Sequence, residues 1–257
     1  DHTTTPREDL DAFVNARWCA ANPVPPDHAC WNCFTILAER ALQAEAEAAI
    51  DAARPGSART PAARVVGEFW RSGMDAAAIN ALGIEPLREE LDRIDMLSTS
   101  EAIATYLRDR HARGWSVLFE FGIAPDFDDP AATIACVSQG GLGLPDRDCY
   151  FGTTPRAAAT LAAYRAHITA MLAQADAPKA QAQTLADAVL AFETRLAGVS
   201  LSRRTLARDI GQRYRRITID DADRLHPMFS WSAFFRAQGI SPPHQFSLAM
   251  PVFHAEV

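Results

Sequence analysis

The sequence has few of the features typical of proteins that span membranes or bind nucleic acid. No apolar run approaches the roughly 20 residues that span a bilayer, so we predict no transmembrane segment in this chain. Positive charge is in deficit: 25 Lys and Arg against 32 Asp and Glu give a formal net charge of -7, so we expect no nucleic-acid partner. Glycine is scarce, at 13 of 257 residues, and alanine is plentiful, which favours helices.

Cysteines are few and mostly scattered. Five is an odd count, and only Cys30 and Cys33 lie close in sequence, so the chain is not a dense disulfide framework. Their C-x-x-C spacing could serve redox exchange or half of a zinc site, but a proline-rich segment precedes it and no second C-x-x-C exists. We interpret the two thiols as an incidental pair, which could still close a small loop in an oxidising compartment.

Histidines and serines do not occur in catalytic patterns. None of the seven histidines stands four residues from another, so no helix can present the two imidazoles of an H-E-x-x-H zinc motif. The nearest pair, His244 and His254, falls in a tail that we expect to be irregular. No G-x-S-x-G turn for a nucleophilic serine is present. We therefore predict that this chain binds no zinc and has no active site of its own.

Two clusters of charged residues are explained without a binding function. Asp126, Asp128 and Asp129 hint at calcium but lack the glycine and terminal glutamate of an EF-hand loop, so we expect a solvated turn. Six arginines between positions 203 and 216 lie beside aspartates at 209–223, so we expect an ion-paired surface.

Hydrophobic periodicity predicts a mainly helical fold with one small β-hairpin (about 115–138). Alternation in 115–123 and 133–138 indicates the two strands, and 139–152 reads as a loop. Helical patterns occur, in chain order, at 35–53 (apolar stripe Leu37, Ala41, Ala44, Ala48), from Pro61 (apolar side Val65, Val66, Phe69, Trp70, Gly73), at 75–82, at 86–94, from a capping box at Ser98–Glu101 to Gly114, along 161–172, along 185–196, and from Ser230 to Gly239. Residues 1–34 are expected to form an extended lead-in.

Several short blocks are shared, in the same order, with one protein family. They are FVNARWCAANPVPPD (13–27), WNCFTIL (31–37), FWRSGMD (69–75), LGIEPLREELDRI (82–94), GLGLPDRDCY (141–150), FETRLA (192–197) and FSWSAFF (229–235). The fifth block resembles the LPxRDYY segment of the neprilysin and endothelin-converting-enzyme family of zinc metalloendopeptidases. The others are similar to blocks of that family, so the resemblance covers nearly the whole chain.

The resemblance implies a role inside a larger enzyme. Family members are longer, and their H-E-x-x-H helix, glutamate ligand and substrate-binding strand follow the matched portion. Residues 35–257 would then be a helical N-terminal lid domain, truncated at its C-terminal end, that closes over the zinc domain and encloses a chamber for small peptides. Residues 1–34 would pack on the missing C-terminal catalytic domain. Zinc in the full-length enzyme would polarise the scissile carbonyl and activate water.

Further expectations follow from the same resemblance. Trp31, Phe34 and Thr35 are expected to line the substrate chamber, and the location is expected to be extracytoplasmic, either periplasmic or secreted. The chain opens at Asp1 without an initiator methionine or a signal peptide, which a removed leader or a later start would explain equally well.

The sequence also departs from the family pattern. Cys30 and Ala38 stand where animal members carry arginines that hold the substrate's C-terminal end, and neither side chain can pair with a carboxylate. That role is therefore not carried over to these positions. Two alternatives also stay open: a stand-alone helical binding module derived from such a lid, without catalysis, and a C-x-x-C redox protein. Six aromatic residues are predicted to pack in the core or between domains: Trp31, Phe34, Phe69, Trp70, Trp231 and Phe234.

Overall fold

The computed structural model describes residues 4–256, and in it the chain forms two compact units that divide between Gly83 and Ile84. The mainly helical fold class is confirmed. Among the described residues, no helix is both long and apolar enough to cross a membrane.

The first unit consists of helices in the part that the structure describes. They are α1 (Leu10–Ala21), α2 (Cys33–Ala53), α3 (Pro61–Met74) and α4 (Ala76–Leu82). Each begins at a residue whose side chain accepts a hydrogen bond from a first-turn amide; these N-caps are Asp9, Asn32, Thr60 and Asp75. Helices α2, α3 and α4 confirm three predicted segments.

Helix α1 corrects the prediction of an extended lead-in. The Asp9 carboxylate accepts from the Ala12 amide at 2.9 Å, and helix-forming residues follow as far as Ala21. The apolar residues of this helix are spread around it and do not line one face, so no local pattern revealed it. Residues 1–3 of the predicted lead-in lie outside the described residues.

Helices α2 and α3 meet at a glycine. A Cβ added at Gly67 would collide with the backbone carbonyl of Ala52 and lie 3.0 Å from the Ala53 amide nitrogen. The Arg71 guanidinium also donates to the Ala53 carbonyl at 2.9 Å, near the end of α2. Among residues 4–83, Gly67 is the one buried residue. Of the apolar side predicted for α3, Val65, Val66 and Phe69 are exposed and Trp70 is half-buried.

The second unit carries the remaining elements. They are a 3-10 turn (Glu85–Leu87), α5 (Arg88–Asp95), α6 (Ser100–Ala112), β1 (Phe119–Pro125), β2 (Thr133–Gln139), α7 (Asp148–Phe151), α8 (Pro155–Gln174), α9 (Lys179–Val199), α10 (Arg203–Arg208), a second 3-10 turn (Ile210–Arg213), β3 (Arg216–Thr218), α11 (Ile219–Leu225), α12 (Trp231–Ala237), β4 (Gln245–Leu248) and α13 (Pro251–Glu256). The helices predicted at 86–94, 161–172, 185–196 and after Ser230 are confirmed.

Helix α6 starts one residue later than its capping box suggested. The cap is Thr99, whose hydroxyl accepts from the Ala102 amide at 3.2 Å, so the pairing predicted for Ser98 and Glu101 is wrong. At the other end Gly114 adopts a φ of 84°, the left-handed stop that was predicted.

The predicted hairpin is present within a larger sheet. Strands β1 and β2 pair antiparallel from Phe119 opposite Gln139 to Pro125 opposite Thr133. The first strand begins at Phe119 rather than at 115, because Leu118 has a positive φ of 68° that breaks the extended run. Strand β4 then pairs parallel to β2 and antiparallel to β3, which gives the order β1-β2-β4-β3.

Aromatic side chains form the core of this unit, where strands and helices meet. Trp231 and Phe234 of α12 are buried there, which confirms the packing role predicted for these two. Both rings pack edge-on or tilted against Phe119 of β1 and against each other, and Trp231 also packs against Phe246 of β4, with ring centroids 5.4–5.6 Å apart.

Candidate functional site

The three residues expected to line a chamber lie together at the start of α2. The Asn32 side-chain oxygen caps the helix by accepting from the Thr35 amide at 3.0 Å, and the Thr35 hydroxyl donates to the same oxygen at 3.3 Å. Trp31 is half-buried, whereas the Phe34 ring is 84% exposed. The structure thus presents one aromatic ring at this helix end, held by a formed N-cap.

His28 ties the preceding loop to the same helix. Its Nδ1 lies 3.0 Å from the Asp27 carboxylate, and its Nε2 lies 3.2 Å from the carboxylate of Glu39 in α2. These hydrogen bonds, to Asp27 first and then to Glu39, raise the pKa of the His28 imidazole. The ring also packs edge-on against Trp31, with the centroids 4.8 Å apart. His28 therefore positions Trp31, a link that its isolation in the sequence did not reveal.

The two thiols of the C-x-x-C are exposed and unbonded. Cys30 lies in the loop and Cys33 is the first residue of α2. The redox hypothesis for this pair stays a prediction.

The GLGLPDRDCY loop is held in place by a buried carboxylate from the FETRLA block (192–197), whose role no local pattern indicated. Glu193 of α9 accepts from the Tyr150 hydroxyl at 2.6 Å and from the Tyr164 hydroxyl at 3.0 Å. The Tyr150 oxygen in turn accepts from the Leu144 amide at 3.0 Å, which closes the loop. A Cβ at Gly143 would clash with the Tyr164 hydroxyl, so this close approach requires glycine. The block that carried the family resemblance thus holds α7, α8 and α9 together.

Burial keeps both tyrosines protonated. Desolvation first, and the hydrogen bond to Glu193 second, raise the pKa of Tyr164 to about 12 and raise the pKa of Tyr150 as well. Neither phenol releases a proton near neutral pH. The two phenols therefore hold the loop as hydrogen-bond donors to Glu193.

The acidic turn after β1 is an ion-pair site. Asp126 is buried and accepts from the Tyr214 hydroxyl at 2.5 Å and from the Arg216 guanidinium, while Arg216 Nε lies 3.2 Å from Asp128. The hydrogen bond from Tyr214 contributes most to lowering the pKa of Asp126. The predicted solvated turn is therefore wrong for Asp126. The expected pairing of Arg216 with nearby aspartates is also wrong, because its partners lie across the fold.

A second ion-pair site lies between α5 and α6. Arg110 is 2% exposed, donates to Glu90 at 2.8 Å and pairs with Asp109. The Tyr106 hydroxyl donates to the other oxygen of Glu90 at 2.6 Å. The PLREELDRI block thus supplies Glu90, the half-buried partner of the buried Arg110.

The donor atoms do not fit a zinc site. Among residues 4–256, no three His, Cys, Asp or Glu side chains lie close enough to hold a metal ion together. The fold brings His226 beside His254, with ring centroids 6.4 Å apart. His254 lies in α13, so the irregular tail expected for it is wrong. His226 Nδ1 already accepts from the Trp231 indole at 3.0 Å.

Comparison with known sequences identifies similar proteins over almost the whole chain. The model for the N-terminal domain of peptidase family M13 matches residues 6–257. Endothelin-converting enzyme 1 of Rattus norvegicus is 24% identical over 251 residues, which cover 92% of this chain and 31% of that protein. The endothelin-converting enzyme homolog of Locusta migratoria is 27% identical over 248 residues, covering 91% and 33%. The chain thus spans about a third of the length of these relatives.

Solved structures show the same architecture. The zinc metalloprotease ZMP1 of Mycobacterium tuberculosis, in complex with an inhibitor, superposes with a TM-score of 0.77 at 27% identity, covering 100% of this chain and 39% of that one. Its open state gives a TM-score of 0.78. PEPO of Lactobacillus rhamnosis, at 19% identity and a TM-score of 0.71, shares the fold.

Proposed function

Because the chain belongs to peptidase family M13, we propose that it is the non-catalytic, substrate-enclosing N-terminal portion of a zinc metalloendopeptidase that hydrolyses small peptides. The match of the family's N-terminal model from residue 6 to residue 257 carries this proposal. Catalysis and zinc then belong to the part of the relatives that this chain does not span, which is about two thirds of endothelin-converting enzyme 1. The chain alone does not cut peptides.

The exposed apolar faces of the helices in the first unit are an argument for a partner domain. The apolar stripe of α2, from Leu37 to Ala48, faces solvent, as do Val65, Val66 and Phe69 of α3. Helices with unburied apolar stripes gain stability when another surface covers them. The proposed cover is the catalytic domain, and we propose an extracytoplasmic location for the whole enzyme, which the family resemblance supports.

Cleavage assays test the absence of activity. The purified chain, incubated with a bradykinin-sized peptide, should leave it intact, whereas a longer polypeptide carrying an H-E-x-x-H segment should cleave it and stop on addition of a chelator. Chelator-sensitive cleavage by the chain alone, free of contaminating proteases, would contradict the proposal.

The chamber assignment has its own test. Trp31, Phe34 and Thr35 are proposed to face the substrate, so Phe34→Ala in the longer polypeptide should lower kcat/KM for a peptide substrate. The matched control is Phe127→Ala, which removes another exposed phenylalanine from the turn after β1. If the two substitutions lowered kcat/KM equally, Phe34 would not line the substrate chamber.

One observation favours a second function, a stand-alone helical binding module without catalysis. Cys30 and Ala38 replace the arginines by which animal members of the resembling family hold the substrate's C-terminal end. The coding sequence decides: a reading frame that continues into an H-E-x-x-H segment supports the peptidase, and one that stops near residue 257 supports the binding module.

A further inference from the structure

A run of exposed positive charge extends over α10, the second 3-10 turn and the start of β3. In residues 203–216, the arginine segment, six arginines against one aspartate give a formal charge of +5, whereas the whole chain carries -7. All six arginines are exposed. The aspartate, Asp209, has local partners, because its carboxylate accepts from the Gly211 amide and from the Gln212 side chain, each at 3.0 Å.

Five of these arginines have no acidic partner within residues 4–256. Arg216 pairs with Asp126 and Asp128, but the guanidinium groups of the other five form neither an ion pair nor a hydrogen bond with the described residues. The five are Arg203, Arg204, Arg208, Arg213 and Arg215. The ion-paired surface expected for them is therefore wrong. Like charges this close in sequence repel one another, and an anionic partner relieves that repulsion.

An apolar cleft of about 310 Å³ opens beside the arginine segment. Arg215 lies in its wall, together with Leu225, Leu248 and Val252. Leu248 is buried, whereas Leu225 and Val252 are 61% and 66% exposed. A second, more polar cleft of about 450 Å³ shares Arg215 and Leu225 with the first and is lined by two further arginines. Charged and apolar surfaces thus meet at Arg215.

The chemistry of the segment favours the phosphate groups of lipids over nucleic acid. Guanidinium groups match phosphate oxygens through bidentate hydrogen bonds. A single-stranded nucleic acid would also need exposed aromatic rings on which its bases stack. Tyr214 is the one aromatic residue of the segment, and its ring already packs edge-on against Phe127 while its hydroxyl donates to Asp126. The apolar cleft beside Arg215 suits an acyl chain, which a nucleic acid lacks.

We propose that the arginine segment binds the surface of a bilayer that contains anionic phospholipid. Lipid phosphates contact the unpaired guanidinium groups, and an apolar part of the lipid enters the cleft beside Arg215. The proposal is independent of the peptidase function, because it requires neither zinc nor the substrate chamber.

Vesicles of two compositions test this binding. The purified chain is sedimented with vesicles of phosphatidylcholine alone and with vesicles of equal parts phosphatidylcholine and phosphatidylglycerol. An anionic surface strengthens binding about fivefold for each arginine that contacts it, so two contacting arginines predict about 25-fold stronger binding to the anionic vesicles. The phosphatidylcholine vesicles measure adsorption through exposed apolar residues, which does not depend on lipid charge. Equal binding to the two kinds of vesicle would overturn the proposal.

Variants locate the binding surface. Arg204→Gln/Arg208→Gln removes two charges four positions apart on α10 and should weaken binding to the anionic vesicles about 25-fold. The matched control, Arg17→Gln/Arg40→Gln, removes two exposed arginines that likewise form no ion pair with the described residues, and it should leave binding nearly unchanged. Equal losses in the two variants would show that the net charge of the chain governs binding, which contradicts a role for the arginine segment.

A soluble polyanion is the competing ligand. Val252→Ser removes an apolar side chain from the cleft and should weaken binding to the anionic vesicles, whereas Ile123→Ser, at a similarly exposed residue of β1 outside the cleft, should not. Heparin supplies negative charge without an apolar part. If the chain binds heparin but not the anionic vesicles, or if Val252→Ser leaves vesicle binding unchanged, the lipid assignment is wrong.

A longer polypeptide that carries an H-E-x-x-H segment decides whether this surface stays accessible. It should keep the preference for anionic vesicles and lose it on Arg204→Gln/Arg208→Gln. Absence of the preference would show that another domain covers the arginine segment, and the proposal would fail. Sedimentation does not depend on peptide cleavage, so a failure here leaves the proposed peptidase function intact.

Discussion

Tyr150 and Tyr164 approach one buried carboxylate from two different helices. The Tyr150 hydroxyl satisfies two partners, Glu193 and the Leu144 amide, whereas the Tyr164 hydroxyl satisfies Glu193 alone. Tyr150→Phe should therefore lower the free energy of unfolding by about 2 kcal/mol, and Tyr164→Phe by about 1 kcal/mol. Urea denaturation measures both. Equal losses, or the reverse order, would contradict the two-partner role of Tyr150.

His254 should make stability depend on pH. Burial first, and the neighbouring His226 second, lower the pKa of His254 from 6.5 to about 4. Between these two values the unfolded chain binds a proton that the folded chain does not, so the free energy of unfolding falls as the pH drops from 6.5 to 4. The contribution of this residue is about 3 kcal/mol.

Variants separate this effect from the other titrating groups. Urea denaturation between pH 4.5 and 7 should show a shallower pH dependence for His254→Phe than for the unmodified chain. The His244→Phe variant serves as the reference for replacing an exposed histidine. An unchanged slope in folded His254→Phe would contradict a depressed pKa at this residue.

The partners of Glu193 and of His254 could not be inferred from the sequence, for the same physical reason. Each acquires its role from a partner far along the chain: Tyr150 lies 43 residues from Glu193, and His226 lies beside His254 only because α11 and α13 converge. Local periodicity reports which face of an element is apolar and carries no information on which elements meet. Trp31, Phe34 and Thr35 were identified by resemblance, and their place in a chamber remains a prediction.

Gly67 decides how closely α2 and α3 approach each other. Because a methyl group there would collide with the Ala52 carbonyl, Gly67→Ala should cost about 1–3 kcal/mol through overpacking. Gly73, in the same helix, has open space around its Cβ position, so Gly73→Ala should stabilise the chain by about 0.5–1 kcal/mol through helix propensity. Thermal melts of the two variants should move in opposite directions. If both melting temperatures shifted in the same direction, the contact at Gly67 would not limit how closely α2 and α3 approach each other.

Elements were predictable where they are long and locally determined. Helices α8 and α9 have long apolar patterns, and α12 has its Ser230 cap, so each was predicted from its own residues. Strands β3 and β4 were missed because they contain three and four residues and form only by pairing with each other and with β2. Such short strands depend on tertiary contacts, which outweigh local propensity.

The two units of the chain differ in what they bury. The second contains an aromatic core, whereas among residues 4–83 Gly67 is the one buried residue. An amphipathic helix is stabilised mainly by packing of its apolar face, since propensity alone leaves short helices marginal. The helices of the first unit therefore depend for their stability on an apolar surface from outside that unit. The catalytic domain is proposed to supply that surface.

Unburied apolar surface should make the isolated chain associate with itself. Phe34 is 84% and Phe69 is 81% exposed, and large exposed apolar residues drive association between copies. Light scattering at increasing protein concentration should show a rising mean mass. The double variant Phe34→Ser/Phe69→Ser should reduce that rise, whereas Phe127→Ser, at an exposed ring of the second unit, should not. A chain that stays monodisperse and monomeric, with a stable cooperative melt, would show that the first unit needs no cover, and the case for a missing partner domain would then rest on the family match alone.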